Sequence, residues 1–384
     1  MKKNNVRTLE KKFDYLEQPD LRAKEMGDAV LEIRNVEVSG AVFNDMAWQK
    51  IRFVECDFIG AYEIKADMTS VEFSDCRFAG IFNFGRLTGV DFVRCIARAN
   101  TFVVGGAGSK GVRFIDCRFT GVDADPNRWG GMGSYGETEF LRCHMKWANV
   151  ISETRHAIIE CEFDDVDCSV SSDGGGSEVL IERSKLRGKF DMRPSTLVSL
   201  TIRDTVLDEL DMHNATVTGD VVMERIKAGF LKISVKEGAR NFVLRNSQVD
   251  GNDTAVCSVY AGAFKSVMVE NNVFGGGPGK RTGIGGGFEP DDRSSQPVLT
   301  DTVVFRNNTV PSLRSGRLNA AQVLIEGNTI GSLDLQQGRI GKLTIRGNTI
   351  ARTVDFSRTQ VAQGTVQGLA AGQAKLDGSN VTLK

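Results

Sequence analysis

Two acidic residues, Asp191 and Asp211, occupy matching places in the segments KFDMRP and ELDMHN, twenty residues apart. If twenty residues complete one coil of a stacked structure, the two carboxylates lie one strand spacing apart, about 5 Å. Two carboxylates at about that distance can act as acid and nucleophile in retaining glycoside hydrolysis. Arg193 and His213 each follow two residues later, so these four residues form a candidate catalytic group.

The same four residues also fit a structural interpretation, in which Arg193 and His213 are charge partners of the two aspartates on a solvated face. Polysaccharide-cutting enzymes usually line their groove with aromatic rings, and the nearest here are Phe190, whose position predicts an inward ring, and Phe230. The chain has three histidines, which poorly supply a Ser-His-Asp triad or a multi-histidine metal site. The sequence therefore favours the structural interpretation and predicts no metal and no cofactor.

These residues are positioned by a repeat of about twenty residues, clearest in VLIEGNTIGSLDLQQGRIGKLTIRGNTI, residues 323–350. The repeat divides into blocks of five in which the first and third residues are mostly apolar or small, and this alternation is typical of a strand. One marker position follows the first strand of each coil. It holds Asn272, Asn308, Asn328 and Asn348 in later coils and Cys56, Cys76, Cys95, Cys117, Cys143 and Cys161 in earlier ones. A repeat of this length indicates a solenoid, whose coils contact only their neighbours.

Blocks such as CDFIG (Cys56–Gly60), VEFSD (Val71–Asp75) and CRFAG (Cys76–Gly80) resemble the pentapeptide-repeat family. That family's pattern is a small residue or Cys, a polar residue, Phe or Leu, and two free positions. The NTI and NNTV turns are similar to those of pectate-lyase-like β-helices, whose coils stack asparagines. The resemblance covers residues 31–350 and implies an all-β fold, a right-handed parallel β-helix of about fifteen coils.

A cap is expected at the start of the solenoid, because the open end of a β-helix exposes unpaired backbone groups. Apolar residues at helix-like spacing predict that residues 1–30 form this cap as one or two short helices. The apolar residues are Val6, Leu9, Phe13, Leu16 and Leu21. The β-helix is then expected over residues 31–350, and residues 351–384 lose the pattern and are predicted to form a loose final coil or tail.

Two glycine-containing insertions interrupt the repeat, at residues 120–138 and 274–300. Each contains side chains that could anchor a partner protein. They are Trp129 and Tyr135 in the first insertion and Lys280 and Arg281 in the second. Surface insertions are also tolerated without any function, so a binding loop and a neutral insertion both remain open.

The composition limits which classes of partner and which cellular location are expected. Lys and Arg number 48 and Asp and Glu 49, so the formal net charge of −1 disfavours nucleic-acid binding. The first thirty residues have no signal-like apolar core, and no stretch is long enough to cross a bilayer. We therefore expect a cytoplasmic protein without membrane insertion, whose six marker cysteines point inward as free thiols rather than forming disulfides or a metal cluster.

Charged residues recur once per coil along the solenoid, and in later coils they alternate in sign, which favours correct stacking of neighbouring coils. In later coils they occupy the fourth residue of the first strand: Glu182, Arg203, Glu224, Arg245, Glu270, Arg306, Glu326 and Arg346. In earlier coils they occupy the second residue: Glu32, Arg52, Glu72, Asp91, Arg113 and Glu139. Each exposed pair contributes at most about 1 kcal/mol.

In later coils the second residue of the first strand is mostly apolar although it is predicted to point outward. These residues are Leu180, Thr201, Val222, Val243, Met268, Val304, Leu324 and Thr344. A continuous apolar stripe on a protein surface usually marks an interaction site. Cover by the chain's own N-terminal segment, 274–300 insertion or C-terminal tail, or simple β-propensity, would also explain it.

The sequence thus predicts a cytoplasmic, non-enzymatic scaffold that binds another protein or a second copy of itself, as an inhibitor, immunity or assembly factor. A carbohydrate-active β-helix hydrolase or lyase using Asp191 and Asp211 is the first alternative. A mimic of DNA acting on a nucleic-acid enzyme is the second, and it rests on the pentapeptide-repeat resemblance alone.

Overall fold

The structure of the protein is a computed structural model. It describes residues 6–9, 30–35, 37–39, 43–61, 64–103, 108–121, 130–133, 136–152, 155–170, 176–192, 195–236, 238–251, 255–275, 281–285, 299–369 and 372–383.

The chain divides into two compact units, Met1–Gly188 and Lys189–Lys384. Each is a right-handed parallel β-solenoid, as the sequence predicts. A coil contributes strands to two parallel sheets, here called sheet A and sheet B, and equivalent strands of successive coils pair in register. Equivalent residues of neighbouring coils therefore lie about 4.8 Å apart and form columns along each unit.

In the first unit, sheet A contains Val6–Leu9, Val30–Arg34, Phe43–Gln49, Ile51–Val54, Ile64–Thr69, Glu72–Ser74, Leu87–Val93, Lys110–Ile115, Glu137–Leu141, Arg155–Ile159 and Ser177–Glu182. Sheet B contains Glu37–Ser39, Asp57–Ala61, Arg77–Asn83, Ile96–Val103, Arg118–Thr120, Gly130–Gly133, His144–Ser152 and Glu162–Val170. The strand Lys185–Asp191 begins at the end of this unit.

In the second unit, sheet A contains Thr196–Arg203, Thr216–Val217, Val221–Glu224, Ala239–Arg245, Phe264–Glu270, Thr300–Arg306, Asn319–Glu326, Arg339–Arg346 and Gln360–Val366. Sheet B contains Val206–Asp211, Lys227–Ile233, Gln248–Val249, Ala255–Tyr260, Val273–Phe274, Arg281–Gly285, Thr309–Arg314, Thr329–Asp334, Thr349–Ile350, Val354–Asp355 and Ala374–Lys375. A single 3₁₀ turn, Ala261–Ala263, lies between two of these strands.

The corner between the two sheets is made by one residue in the left-handed conformation, placed directly before the marker position. Its φ is 57° at Asp75 and 56° at Asn271, and the corner residue becomes glycine at Gly327 and Gly347. Asp, Asn and Gly adopt this conformation at low cost, but Arg94 and Arg142, with φ of 50° and 52°, occupy the same position, so the coil geometry imposes the turn even where the residue type does not favour it.

The core of the first unit is built from stacked phenylalanine rings. One column contains Phe53, Phe73, Phe92, Phe114 and Phe140. Successive ring centroids lie 4.7 to 5.0 Å apart, with ring planes within 11° of parallel. The spacing follows from in-register pairing of the strands, and each ring also meets a second column edge-on, as between Phe73 and Phe78.

The six marker cysteines of the first unit are buried and free, which confirms the predicted inward column of thiols. The thiol of Cys117 donates to the carbonyl oxygens of Phe92 and Ile115, at 3.2 and 3.4 Å. Burial raises the pKa of the Cys95 thiol, and the neighbouring thiols of Cys117 and Cys76 raise it further. Because all six side chains are buried, they pack as small core residues.

In the second unit the marker column becomes a ladder of asparagine amides from Asn272 onward, after Thr205, Ile226 and Ser247. Oδ1 of Asn308 accepts the backbone N–H of Asn272 at 2.9 Å and its side-chain Nδ2 at 3.0 Å. Nδ2 of Asn308 donates to Asn328 Oδ1 at 3.1 Å and to the carbonyl of Val269 at 2.9 Å. Asn348 continues the pattern from Asn328. A one-residue slip of any coil would leave these buried groups unpaired, so the ladder fixes the register.

The start of the chain differs from the predicted helical cap. Val6–Leu9 form a strand that pairs in parallel with Val30–Ile33, so Val6 and Leu9 are not helical. The strand covers the backbone edge of the first coil, the need that the cap was predicted to meet. The other residues of the predicted helices, Phe13, Leu16 and Leu21, lie outside the described residues.

The solenoid also extends beyond the predicted end at residue 350. Gln360–Val366 pairs with the preceding coil from Arg339 to Ile345, and Val366 makes a further parallel bridge to Leu383. The pattern was missed because the inward positions of this coil carry few large apolar residues, while the backbone pairing continues unchanged.

Each predicted insertion contributes a strand of its own to sheet B. Gly130–Gly133 pairs with the segment from Ala148 to Ile151, and Arg281–Gly285 pairs with the strand Ala255–Tyr260. Part of each of the segments 120–138 and 274–300 is therefore a strand of sheet B rather than a loop. Pairing groups offered by the neighbouring coils outweigh the low strand propensity of these glycine-rich sequences.

Candidate functional site

The carboxylates of Asp191 and Asp211 share one ammonium group. Nζ of Lys189 lies 3.1 Å from Oδ2 of Asp191 and 3.4 Å from Oδ2 of Asp211. The structure thus brings the two predicted aspartates together, and it adds Lys189, which the sequence analysis missed. Strand alternation could have found this lysine, because residues 189 and 191 point to the same side.

The two other members of the candidate catalytic group are placed differently. Oδ1 of Asp211 accepts the backbone N–H of His213 at 2.9 Å, and within the described chain Nδ1 of the His213 ring has no hydrogen-bond partner. Asp211 thus contacts His213 through the backbone of the turn. Arg193 lies outside the described residues.

The turn at Asp211 recurs elsewhere in the second unit. Oδ1 of Asp334 accepts the backbone N–H of Gln336 at 3.0 Å, and Oδ1 of Asp355 accepts that of Ser357 at 2.9 Å. Asp334 and Asp355 are direct neighbours on successive coils of sheet B. An aspartate that accepts the N–H two residues ahead is a common way to close a turn. Asp211 therefore holds a corner in the same way as aspartates that no catalytic pattern includes.

The main surface feature of the second unit is a column of outward side chains on sheet A, here called the apolar column. It consists of Thr201, Val222, Val243, Met268, Val304, Leu324 and Thr344, each directly paired with the next. All seven are half-buried, with part of each side chain exposed to solvent. At one strand spacing per coil the column is about 29 Å long. The predicted stripe is thus a real column within this unit.

Leu180, the first residue of the predicted stripe, belongs to the first unit. There it is half-exposed and pairs with Ala157 of the preceding coil.

An ion ladder borders the apolar column on one side, as the alternating charges predict. Arg203 and Arg245 lie 3.6 and 3.2 Å from the carboxylate of Glu224. Further along, Arg306 pairs with Glu270, and Arg346 lies 2.6 Å from Glu326. The acidic members Glu224 and Glu270 are almost buried under their arginine neighbours.

Polar side chains border the apolar column on the other side. They are Asp220, Asn241, Ser266, Thr302, Gln322 and Lys342. The amide of Asn241 donates to Asp220 at 2.8 Å. The apolar column is therefore a narrow apolar strip between two polar margins, an arrangement typical of protein interfaces.

A second ion ladder, at the left-handed corner, was not predicted. In the first unit Arg94 makes two hydrogen bonds to Asp75, at 2.7 and 2.6 Å, and Arg142 makes two to Asp116, at 2.6 and 2.9 Å. These arginines hold the pKa of the Asp75 and Asp116 carboxyls below the usual value. The signal was available, since the residue before each marker alternates between acid and arginine from Asp75 to Arg225.

Most of the insertion residues predicted to anchor a partner cannot be placed. Trp129, Tyr135 and Lys280 lie outside the described residues. Arg281 opens the strand Arg281–Gly285 and pairs through its backbone with Ala255.

Within the described part of the chain, no three His, Cys, Asp or Glu side chains are grouped so that they could hold a metal ion. A search of the same residues finds no helix with the length and apolar character needed to span a membrane.

Comparisons with protein-family models, with curated proteins and with solved structures find no significant match to this chain. The resemblance to pentapeptide-repeat and pectate-lyase-like proteins is therefore supported by the β-solenoid fold alone, and fold does not define function.

Proposed function

We propose that this protein is a non-enzymatic, cytoplasmic scaffold that binds a protein partner through the apolar column, as an inhibitor, immunity or assembly factor does. The observation that carries the proposal is the column itself, seven half-buried side chains in direct register over about 29 Å. A soluble protein gains nothing in solubility from such a strip, and its polar margins match the rim of an interface.

Strand propensity alone does not account for the composition of the column. Propensity favours β-branched residues such as Val222 and Val243 at outward positions. Met268 and Leu324 are not β-branched, yet they lie in the same column with half-buried side chains. Flexible, unbranched apolar side chains are useful in a contact surface because they adapt to the opposing shape.

The cluster of Lys189, Asp191 and Asp211 supports a second candidate, a carbohydrate-active hydrolase or lyase. Both carboxylates contact the Lys189 ammonium, so they lie near each other as the two acids of a glycosidase do. The recurrence of the same turn at Asp334 and Asp355 favours the structural interpretation instead. The ladders of alternating Arg and Asp or Glu offer no continuous acidic face, so DNA mimicry remains the weakest candidate.

The test replaces Val222 and Val243 together by glutamate. Two charges in the middle of the apolar column should abolish partner binding, because a desolvated unpaired carboxylate costs several kcal/mol. The matched control is Val206→Glu with Val273→Glu, which makes the same change at two exposed valines of sheet B.

Partner binding is measured by capture from the native host and by sedimentation, after circular dichroism has shown that both variants are folded. We expect the sheet A variant to lose binding by tenfold or more, roughly the effect of 1.4 kcal/mol, and the control to bind normally. A folded sheet A variant that binds at wild-type strength would rule the column out as the interface.

A further inference from the structure

The outward face of sheet A in the second unit is complementary to itself, and we propose that it binds a second copy of this chain face to face, with the two solenoids antiparallel. The inference rests on the proposed function, in which the apolar column is a protein interface. It goes further by naming the partner and the alignment, both of which follow from the charges beside the column.

A parallel alignment of two such faces is unfavourable. A two-fold axis along the solenoid sets the ion ladder of one copy against the polar margin of the other, coil by coil. Glu224 then faces Asp220 of the second copy, and Arg346 faces Lys342. Like charges placed opposite each other at an interface cost several kcal/mol.

An antiparallel alignment sets the ion ladder against itself in reverse order. Because the ladder alternates in sign, opposite charges meet at every level when the two-fold axis lies between two coils. With the axis between the coils of Glu270 and Arg306, these two residues face each other across the interface. Six coils of the apolar column, from Val222 to Thr344, then overlap, and Arg245 faces Glu326 while Glu224 faces Arg346 of the second copy.

Two positions of the two-fold axis between coils overlap six coils of the apolar column. The charges of the polar margin favour the position between Glu270 and Arg306. With the chosen axis, Asp220 faces Lys342, and the exposed Lys265 faces the exposed Asp301. Moving the axis by one coil, to the gap before Met268, instead sets Arg240 opposite Lys265, two exposed cations. Both margins therefore favour the same alignment.

The apolar column packs against itself in this arrangement. Val243 faces Leu324 of the second copy, Met268 faces Val304, and Val222 faces Thr344. Six coils at one strand spacing and a face about 20 Å wide cover roughly 550 Å² per copy, or about 1,100 Å² in total. This area is at the lower end for a specific interface, so we expect a dimer of micromolar affinity.

The decisive experiment reverses charges in pairs that are neighbours within one chain. Variant one carries Glu326→Arg with Arg346→Glu, and variant two carries Glu224→Arg with Arg245→Glu. Each keeps one acid beside one arginine, but the reversal also sets a new cation beside Arg306 in variant one, and in variant two a new cation beside Arg203 and a new anion beside Glu270. Circular dichroism must therefore first show that each variant is folded. In a dimer of either variant alone, like charges meet at four positions, whereas a mixture of the two variants restores opposite charges at every level.

Sedimentation equilibrium of the full chain between about 1 and 100 µM spans the expected affinity. We expect the wild type to approach twice the 41.9 kDa chain mass. Each variant alone should dimerise roughly tenfold or more weakly, and the equimolar mixture should return to within about threefold of the wild type. Dimerisation of each variant alone at wild-type strength, or a mixture no stronger than its components, would overturn the proposed alignment.

A second measurement is independent of the charge reversals. Val243→Cys in one preparation and Leu324→Cys in another place thiols about 10 Å apart across the proposed interface, the spacing of packed sheets. A bismaleimide of that reach should cross-link the mixture at least about fivefold faster than either preparation alone, where the introduced thiols lie about 17 Å apart. Equal rates in all three samples would contradict the alignment.

The outcomes separate this inference from the proposed function. A wild-type chain that stays monomeric at 100 µM, roughly the weakest affinity expected here, overturns the homodimer. If the Val222→Glu and Val243→Glu variant nevertheless loses capture of a different protein, the apolar column remains the interface and only the identity of its partner changes.

Discussion

The same outward column of sheet A is charged in the first unit and apolar in the second. In the first unit it contains Glu32, Arg52, Glu72, Asp91, Arg113 and Glu139, each paired in register with the next. Arg52 lies 3.3 Å from Glu72, and Arg113 makes two hydrogen bonds to Asp91. The change begins at Ala157, which pairs with Glu139. Since the strand pairing is alike in both units, the outward residues can be chosen for a partner without altering the fold.

The inward marker column differs between the units as well. The thiols of the first unit make long, weak hydrogen bonds to carbonyl oxygens, such as 3.2 Å from Cys117 to Phe92. The amides of the second unit make short bonds to backbone and to each other, such as 2.7 Å from the Asn308 N–H to Asn328. Register is therefore specified by ion pairs and ring stacking in the first unit, and by buried amides in the second.

The largest expected effect follows from this difference. Asn308→Ala removes the acceptor of the Asn272 N–H and the donor to the Val269 carbonyl, and leaves both groups buried without these bonds. We expect the free energy of unfolding, measured with urea, to fall by about 3 kcal/mol or more. The matched change in the first unit, Cys117→Ala, removes a small apolar group with a weak donor and should cost about 1 kcal/mol. Equal losses of unfolding free energy in the two variants would show that the thiol column and the amide column contribute equally to stability.

The fold was predictable because the repeat shows which residues occupy equivalent positions in successive coils. Cys56 and Asn328 occupy the same position in their coils, so this buried marker position aligns every coil with the others. Strand alternation on either side of it then predicts that Val222 and Val243 point outward. The strand Gly130–Gly133 was not predictable, because GGMG carries no strand signal. It is a strand since the coils before and after it both pair with its backbone.

The sequence predicted that the two aspartates of the candidate catalytic group lie close together, but it did not predict the hydrogen bonds that they make. Twenty-residue spacing placed Asp191 and Asp211 together, as the structure does through Lys189. The structural use of Asp211 depends on the path of the backbone at the corner, where its carboxylate meets the N–H of His213. A repeat pattern gives columns of side chains, but it does not give the hydrogen bonds of an individual turn.

A further difference between the units is a buried histidine in the first. His156 is fully buried, packs edge-on to Phe140 with ring centroids 5.3 Å apart, and neither ring nitrogen has a hydrogen-bond partner among the described residues. Burial lowers the pKa of His156 from 6.5 to about 4. Its inward position in RHAII is the one signal in the sequence for this burial.

This histidine should make the stability of the protein depend on pH. Between pH 6.5 and about 4 the unfolded chain binds a proton at His156 that the folded chain does not, so stability falls as the pH decreases. From pH 7 to pH 5 the expected loss is about 2 kcal/mol. His156→Leu should flatten this slope in urea titrations at several pH values, while His144→Gln, at a half-exposed histidine, should keep it. An unchanged slope in His156→Leu would contradict the assignment.

The smallest expected effect concerns the turn that Asp211 closes by accepting the His213 N–H. Asp191→Asn with Asp211→Asn keeps an oxygen that can accept the His213 N–H but removes the charges beside Lys189. We expect stability to fall by about 1 kcal/mol and binding through the apolar column to stay unchanged, because the corner lies on sheet B. The matched control, Asp334→Asn with Asp355→Asn, changes the same turn in two other coils and should have a similarly small effect.

Incubation of the wild type and both asparagine variants with a panel of polysaccharides completes the test of the corner. If the wild type releases sugar fragments and only the variant at 191 and 211 fails to, with its stability intact, the carbohydrate-active candidate becomes the function. Similar behaviour of the two variants would mean that the aspartates serve one purpose in the coils that contain them. Each carboxylate then closes a corner, and the chemistry suggested by their spacing is a consequence of stacking identical turns about 5 Å apart.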